Sequence, residues 1–233
     1  MFTQIFLRST AIFLLIAWSS AARGEQNVNP GINDYYLDAD YGKWVEVFER
    51  PGREIFDRRF QIMAAIGVRP EMVVADIGAG TGLFTRLFAR AVGPEGRVIA
   101  VDISRNFVDN ILRSAREQGL ENVQGVVNSQ RDSGLAPGLV DLAFVCDTYH
   151  HFEYPRSMLA SIHGGLKPGG ELVLIDFERI PGVSTPWVLS HVRSDREQVI
   201  EETEATGFEL VEEQPELLRS NYFLRFRKHP GSD

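Results

Sequence analysis

The sequence predicts an α/β fold in which a mostly parallel sheet carries helices on both faces, and three observations support that class. From Met72 onward, short apolar runs alternate with amphipathic, helix-length stretches, the pattern of strands joined in parallel by helical crossovers. The first run leads into a turn carrying Gly78, Gly80 and Gly82, and the second closes on Asp102. The last two runs, 208–213 and 221–227, are joined by too few residues for a crossover, so they predict a C-terminal antiparallel hairpin at one side of the sheet.

Length and composition bound the rest. A chain of 233 residues suits one domain with a terminal extension. With 44% hydrophobic and 24% charged residues it can bury a sizeable core, which excludes collagen-like, coiled-coil and wholly disordered classes. A formal charge of −8 disfavours non-specific attraction to nucleic acid phosphates, so DNA and RNA are poor candidates as partners. The single cysteine, Cys146, excludes an internal disulfide and a cysteine zinc site.

The elements follow in order. Residues 1–24 carry Arg8, an uncharged run over 9–22 with an apolar centre at 11–18, then Ser20, Ala21, Ala22 and Gly24. That succession predicts a cleaved secretory signal, and an uncleaved anchor is the alternative. The domain is expected to be exported either way, periplasmic or secreted, with no stable membrane insertion once the signal is removed. Residues 25–34, polar with Pro30 and Gly31, read as a linker. The domain then runs over 35–233 and begins with a helical cap at 35–70. The cap carries Tyr35, Tyr36, Tyr41, Trp44 and Phe48, a break at Pro51 and Gly52, and a helix from Glu54 to Ile66. Its aromatics either enclose a hydrophobic acceptor or pack a core cover. Strands are expected at 72–75, 98–101, 123–127, 140–146 and 171–176, the last after a turn at 167–170. Helices are expected from Leu83, and at 106–118, 155–162 and 195–206. The stretch 177–193, with Pro181, Pro186, Trp187 and His191, is a substrate lid or a solvated connection. Arg225, Arg227 and Lys228 read as the solvent face of the last strand.

Gly78, Gly80 and Gly82 let the backbone pass close to a ligand lying over the strand ends, where open α/β sheets place their sites. Leu83 stands where a dinucleotide fingerprint needs its third glycine, which disfavours pyrophosphate recognition. Asp102 closes the second strand, where a carboxylate can accept hydrogen bonds from ribose hydroxyls.

Taken together, residues 76–82, 98–103, 140–147 and 166–172 resemble the class I S-adenosylmethionine-dependent methyltransferases, of the type 11/25-like group, over essentially all of 35–228. The resemblance implies a Rossmann-like seven-stranded sheet of order 3-2-1-4-5-7-6, which agrees with the hairpin. It implies S-adenosyl-L-methionine as cofactor, with Gly78, Ala79, Gly80 and Gly82 against its methionine part, Asp102 on its ribose and Ile103 on adenine. Asp76 either touches the cofactor amino group or caps the glycine turn. Many members carry an acid after the fourth-motif strand to hold adenine. Here that stretch is 128–132, so either Ser129 and Gln130 make neutral contacts or Asp132 substitutes.

In the same resemblance Asp147, Thr148, Tyr149, His150 and His151 follow the fourth sheet strand and face both cofactor and acceptor. The implied reaction moves a methyl group to an oxygen, nitrogen or carbon of a small or medium-sized molecule, and alignment alone can supply about 7–11 kcal/mol. Where a proton must leave, His150 or His151 titrates in the right range to take it, with Asp147 or Tyr149 orienting the acceptor. In the alternative, one histidine packs under the sheet edge and the other caps the next helix. No metal is expected: a site using both histidines with Asp147 or Glu153 is set aside because adjacent side chains diverge and no second ligand cluster is evident. The rival functions are an exported, non-catalytic S-adenosylmethionine- or ligand-binding protein and an NAD-dependent oxidoreductase, the latter disfavoured by Leu83 and by the lack of a second nucleotide-binding half.

Expressed in a bacterial host, the full-length chain is expected to be cut between Ala22 and Glu25 and recovered outside the cytoplasm. Intact-mass measurement after fractionation checks this, and a soluble cytoplasmic species beginning at Met1 would overturn it.

Overall fold

The computed structural model describes residues 24–229, so the expected signal segment, through Arg23, lies outside the described residues. Seven strands form one sheet: β1 (Val73–Ile77), β2 (Arg97–Asp102), β3 (Val123–Val127), β4 (Val140–Cys146), β5 (Leu166–Phe177), β6 (Phe208–Glu213) and β7 (Asn221–Lys228). Their order is β3-β2-β1-β4-β5-β7-β6, as expected. The first five pair in parallel, and β7 runs antiparallel to both β5 and β6.

Side chains of successive strand residues point to opposite faces, and each face has its own core. Along β4, Ala143 and Val145 join Leu159 and Ile162 of α7 (Pro155–Gly165) and Val199 of α9 (Arg196–Glu204). Leu142 and Phe144 join Phe84 and Phe88 of α5 (Leu83–Val92) with Ile62 and Ile66 of the cap. Burying each such side chain stabilises by about 1.5–3 kcal/mol, so the two-faced apolar runs dictate a sheet covered on both sides. Helix α6 (Arg105–Glu117) packs against β2 and β3. No helix among the described residues is long and apolar enough to cross a membrane.

The cap is α1 (Asp34–Leu37), α2 (Tyr41–Phe48), α3 (Glu54–Asp57) and α4 (Arg59–Ile66). The single helix expected over 54–66 is therefore two, interrupted at Arg58. Ile55, Ile62 and Ile66 are buried, whereas Phe60 faces out, with the Arg59 guanidinium over its ring. The expected turn at 167–170 lies inside β5 as a bulge. Leu166 pairs with Val140 and Glu171 with Leu142, while Asp141 holds the bulge through Lys167 Nζ at 2.7 Å and the Val73 amide at 2.8 Å. The stretch after β5 contains a short helix, α8 (Pro186–His191), tied down by Arg179, which donates to the carbonyls of Val192 and Leu189.

Residues 25–33, read as a linker, dock on the domain. Helix α7 has no side-chain cap of its own. Glu25 supplies one, its carboxylate accepting from the amides of Arg156 at 2.7 Å and Ser157 at 2.8 Å. The Val28 amide donates to the Glu153 carbonyl, and Asn33 Nδ2 to the His151 carbonyl. A carboxylate at a helix N-terminus satisfies orphan amides and opposes the helix dipole, a relation between residues 131 apart in sequence that no local pattern reveals. Glu25→Ala is expected to lower stability by about 0.5–2 kcal/mol, read as a shift in the denaturant midpoint, and an unchanged midpoint would show that the strap contributes nothing.

Candidate active site

The carboxyl ends of β1, β2, β4 and β5 open on a cavity of about 570 Å³, within the roughly 300–1,000 Å³ of small-molecule sites. On one side lies the turn after β1. The amides of Gly78 and Ala79 both donate to the Val101 carbonyl, stitching the turn to β2. Gly80 has φ +55°, a left-handed conformation that suits glycine, and the first carbon of a side chain there would touch the Phe48 ring at 3.6 Å, at the cavity wall. Gly82 does different work. A side chain on it would collide with Ile111 at 2.9 Å, so it serves the packing of α5 on α6, and it does not line the cavity.

Two buried carboxylates lie beneath this turn. Asp102 accepts from the Gly80 amide and the Ser104 amide, each at 2.8 Å, and burial pushes its pKa up to about 6. Asp76 accepts from the Thr85 hydroxyl at 2.6 Å, which anchors the first turn of α5. Burial, with the Asp102 charge adding to it, raises the Asp76 pKa to about 7. Asp76, Gly78, Ala79, Gly80, Asp102 and Ile103 all line the cavity, as their places at the strand ends predict. Ser129 and Gln130 do not. Ser129 Oγ accepts from the amides of Arg131 and Asp132 to close its own turn, and Gln130 donates to Glu153 at 2.8 Å. Asp132 is taken up by the Gly134 amide and the Ser161 hydroxyl. The loop after β3 thus turns all three away, and Ile103 and Phe107 form the apolar wall on that side.

Across the cavity, the segment after β4 behaves residue by residue. Asp147 has φ +49°, an uncommon conformation for a non-glycine residue. Both its carboxylate oxygens are engaged, one by Arg53 Nη2 at 2.5 Å and the other by Asn221 Nδ2 at 2.6 Å. It lines the cavity as an anchored group rather than a free base. Arg53 is a residue that sequence reasoning missed, its one signal being its place just after the Pro51, Gly52 break. Tyr149 is 1% exposed, and its hydroxyl donates to Glu202, which Arg193 also holds at 2.6 and 2.9 Å. Tyr149 is therefore a core residue and cannot orient an acceptor.

Both histidines line the cavity. His150 is 3% exposed; its Nδ1 lies 2.7 Å from Asp176 Oδ1, and its amide donates to Asp176 Oδ2. Burial disfavours the imidazolium, but Asp176 outweighs burial and raises the His150 pKa. His151 is driven the other way, down to about 3, by burial first and then by His150 and His191. His191 comes from the last turn of α8 and stacks on Trp187 with centroids 4.6 Å apart; burial, then His150, lower its pKa. Neither histidine caps a helix, and the two rings do not diverge, since their centroids are 4.3 Å apart. Glu153 lies elsewhere, hydrogen-bonded to Asn33 and Gln130. Tyr36, Trp44 and Phe48 of the cap form a continuous aromatic run, 4.9 and 4.7 Å between centroids, that reaches His151 through Tyr36. Phe177 and Trp187 complete the wall, so the cap aromatics and α8 both enclose the cavity.

Residues 74–170 match the family described as a methyltransferase domain. The chain is 34% identical over 130 residues to the ubiquinone/menaquinone biosynthesis C-methyltransferase UbiE of Ectopseudomonas mendocina, covering 54% of this chain and 48% of that one. It spans about half the length of the curated relatives it matches. A SAM dependent methyltransferase from Aquifex aeolicus has a similar structure, with a TM-score of 0.71 at 22% identity over 82% of this chain and 99% of that one. The 1,6-didemethyltoxoflavin-N1-methyltransferase of Burkholderia thailandensis, solved with S-adenosylhomocysteine bound, aligns with a TM-score of 0.60 at 22% identity over 85% and 87%.

Because Asp76 has a folded pKa of about 7, raised above its ordinary value, its contribution to stability is present in acid and is lost as pH rises toward and through 7. Asp76→Asn keeps an acceptor for Thr85 and carries no charge. Its melting temperature is expected to fall less than the parent's between about pH 4 and 7; an identical fall in both would show that Asp76 does not titrate there.

Proposed function

Since this chain carries a class I S-adenosylmethionine-dependent methyltransferase domain, we propose that it transfers a methyl group from S-adenosyl-L-methionine to a small or medium-sized acceptor whose reacting part is apolar or aromatic. The observation that carries this is the meeting of Gly80 and Asp102 at one wall of a cavity whose opposite wall is aromatic and imidazole. When bound, the cofactor supplies a methyl group activated by its sulfonium. The residues fit it. At Gly80 no side chain intrudes, and each Asp102 oxygen accepts one amide, leaving lone pairs for two ribose hydroxyls. Asp76, partly protonated near neutrality in the free protein, becomes the carboxylate when an ammonium group sits beside it.

On the acceptor side, Tyr36, Trp44, Phe177 and Trp187 surround an apolar ring and exclude water. The relatives named for ubiquinone/menaquinone biosynthesis and for didemethyltoxoflavin methylation fit this class of acceptor. Displacement at carbon needs alignment more than a base. Where the acceptor loses a proton, His150 is the imidazole suited to receive it, because Asp176 on its Nδ1 stabilises the protonated ring, whereas burial holds His151 neutral and makes it a poor base. Asp147, pinned by Arg53 and Asn221, orients the loop that carries His150 without entering the proton transfer. The export expected from residues 1–24 bears on where the reaction runs and not on its chemistry.

Calorimetric titration of the protein with S-adenosylmethionine and with NAD separates this reading from both rivals: S-adenosylmethionine binds, NAD does not, and S-adenosylhomocysteine accumulates with a phenolic or quinol acceptor. Asp102→Asn is expected to weaken cofactor binding about tenfold or more, the loss of a charged acceptor worth about 1.5–3 kcal/mol. Asp109→Ala, on the exposed face of α6, leaves it unchanged. Affinity should also fall as pH drops below about 6, where Asp102 takes up its proton. Equal weakening by the two substitutions would remove ribose recognition from Asp102.

A further inference from the structure

Three imidazoles from two separate elements meet at the acceptor wall. His150 and His151 come from the single turn of 3-10 helix after β4 (Tyr149–His151), and His191 from α8, forty residues later in the chain. One nitrogen of each lies within 4.8 Å of the other two. Asp176 occupies His150 Nδ1, which leaves Nε2 as that ring's free nitrogen. His151 Nδ1 and His191 Nε2 are buried with no hydrogen-bond partner. An unpaired buried polar atom costs about 1–3 kcal/mol, so two at one spot call for a physical reason. Mutual hydrogen bonding does not supply it, since neither nitrogen is paired with a neighbouring ring.

We propose that His150, His151 and His191 form a binding site for a divalent transition-metal ion of the zinc class, opening on the acceptor side of the cavity. Neutral imidazole nitrogens suit zinc and its neighbours, whereas magnesium and calcium require oxygen donors. Three protein ligands leave one position of a tetrahedral ion open, and because all three histidines line the cavity that position is reached from it. Asp176 completes the arrangement expected of a metal-binding histidine, a carboxylate on the far nitrogen that fixes ring and tautomer. Asp176 also supplies negative charge close to the ion. Ligands of a tetrahedral zinc stand about 3.4 Å apart, so the three rings must draw together from the 4.8 Å within which their nitrogens lie. An ion so placed occupies these imidazole nitrogens, so in the metal-loaded protein the acceptor is activated by polarisation of its hydroxyl or carbonyl oxygen and not by a histidine base. This site does not depend on the methyl-transfer reading, because ion binding is measured without cofactor. Sequence spacing pointed away from it, since His191 stands outside the motif that holds the other two.

The test uses tag-free protein treated with EDTA, exchanged into buffer, and titrated with Zn²⁺ by calorimetry and with Co²⁺ by visible absorption. The expected result is one ion per chain with a dissociation constant of about 1 μM or tighter, and the intense bands of four-coordinate cobalt. His191→Ala and His151→Ala each weaken binding about tenfold or more, and Asp176→Asn weakens it about 10–100-fold. His229→Ala, outside the cluster, changes nothing. Zinc binding weaker than about 100 μM, or binding unaffected by His151→Ala and His191→Ala in variants that keep the parent melting temperature, overturns the proposal. So does a weak, octahedral cobalt spectrum on the unmodified chain, a readout that needs no variant to fold. A protein that binds zinc through these residues but fails to bind S-adenosylmethionine would leave this inference standing and remove the other.

Discussion

The cavity exists because Asp147 is held from two directions. Arg53 reaches it from the cap and Asn221 from β7, so one carboxylate at the end of β4 joins the N-terminal cover, the central sheet and the C-terminal hairpin. Burying that charge is costly, and two charge-assisted hydrogen bonds are what offset it. Removing either partner leaves a buried carboxylate poorly compensated. The left-handed backbone at Asp147 belongs to the same constraint: it directs the chain into the turn that carries His150 and His151. Local strain of this kind persists where surrounding contacts over-determine it.

From that constraint the cavity acquires two unlike walls. One is acidic and built of backbone, with Asp76 and Asp102 beneath a turn whose glycine leaves room for a ligand. Both carboxyl groups are held above their ordinary pKa by burial, so a cationic ligand is what relieves them. The other wall is aromatic and imidazole, with no free carboxylate among its described residues pointing in. Such a division suits a reaction in which a positively charged donor faces an apolar acceptor, and it places the groups that accept protons on the acceptor's side.

The cover is assembled from chain segments distant in sequence. The strap at 25–33 caps α7 through Glu25 and touches the His151 carbonyl through Asn33. The cap aromatics lean on His151, and α8 brings Trp187 and His191 to the same wall, with His191 5.3 Å from His151 between ring centroids. Each piece is short, and none has enough apolar surface to fold alone. They are stable only against the sheet, so the acceptor side depends on the tertiary fold more strongly than the cofactor side does.

That difference decides what could be read without coordinates. Strands β3 and β4 carry the bounds expected of them and the hairpin forms where it was expected, because apolar period and turn residues are local properties of the chain; the strand order agrees with the one the family resemblance implied. Gly80 and Asp102 were legible for the same reason: one lies in the turn after β1 and the other closes β2, and both strand ends must face the site. Tyr149 and Gln130 were not, since one residue of rotation on a turn sends a side chain into the core or toward Glu153, and no pattern encodes that rotation. Arg53 and Glu25 were out of reach because their partners, Asp147 and Arg156, lie 94 and 131 residues away, and His191, read only as part of a lid, could not be placed beside His150 and His151. By itself the sequence determined the strands, the closing hairpin and the backbone that cradles a ligand, set by short-range periodicity and turn residues, while the order of the sheet followed from the family resemblance that those residues carry. Only the tertiary structure decided which polar side chains face the cavity and which three histidines meet, because those relations are made by packing between segments that share no local signal.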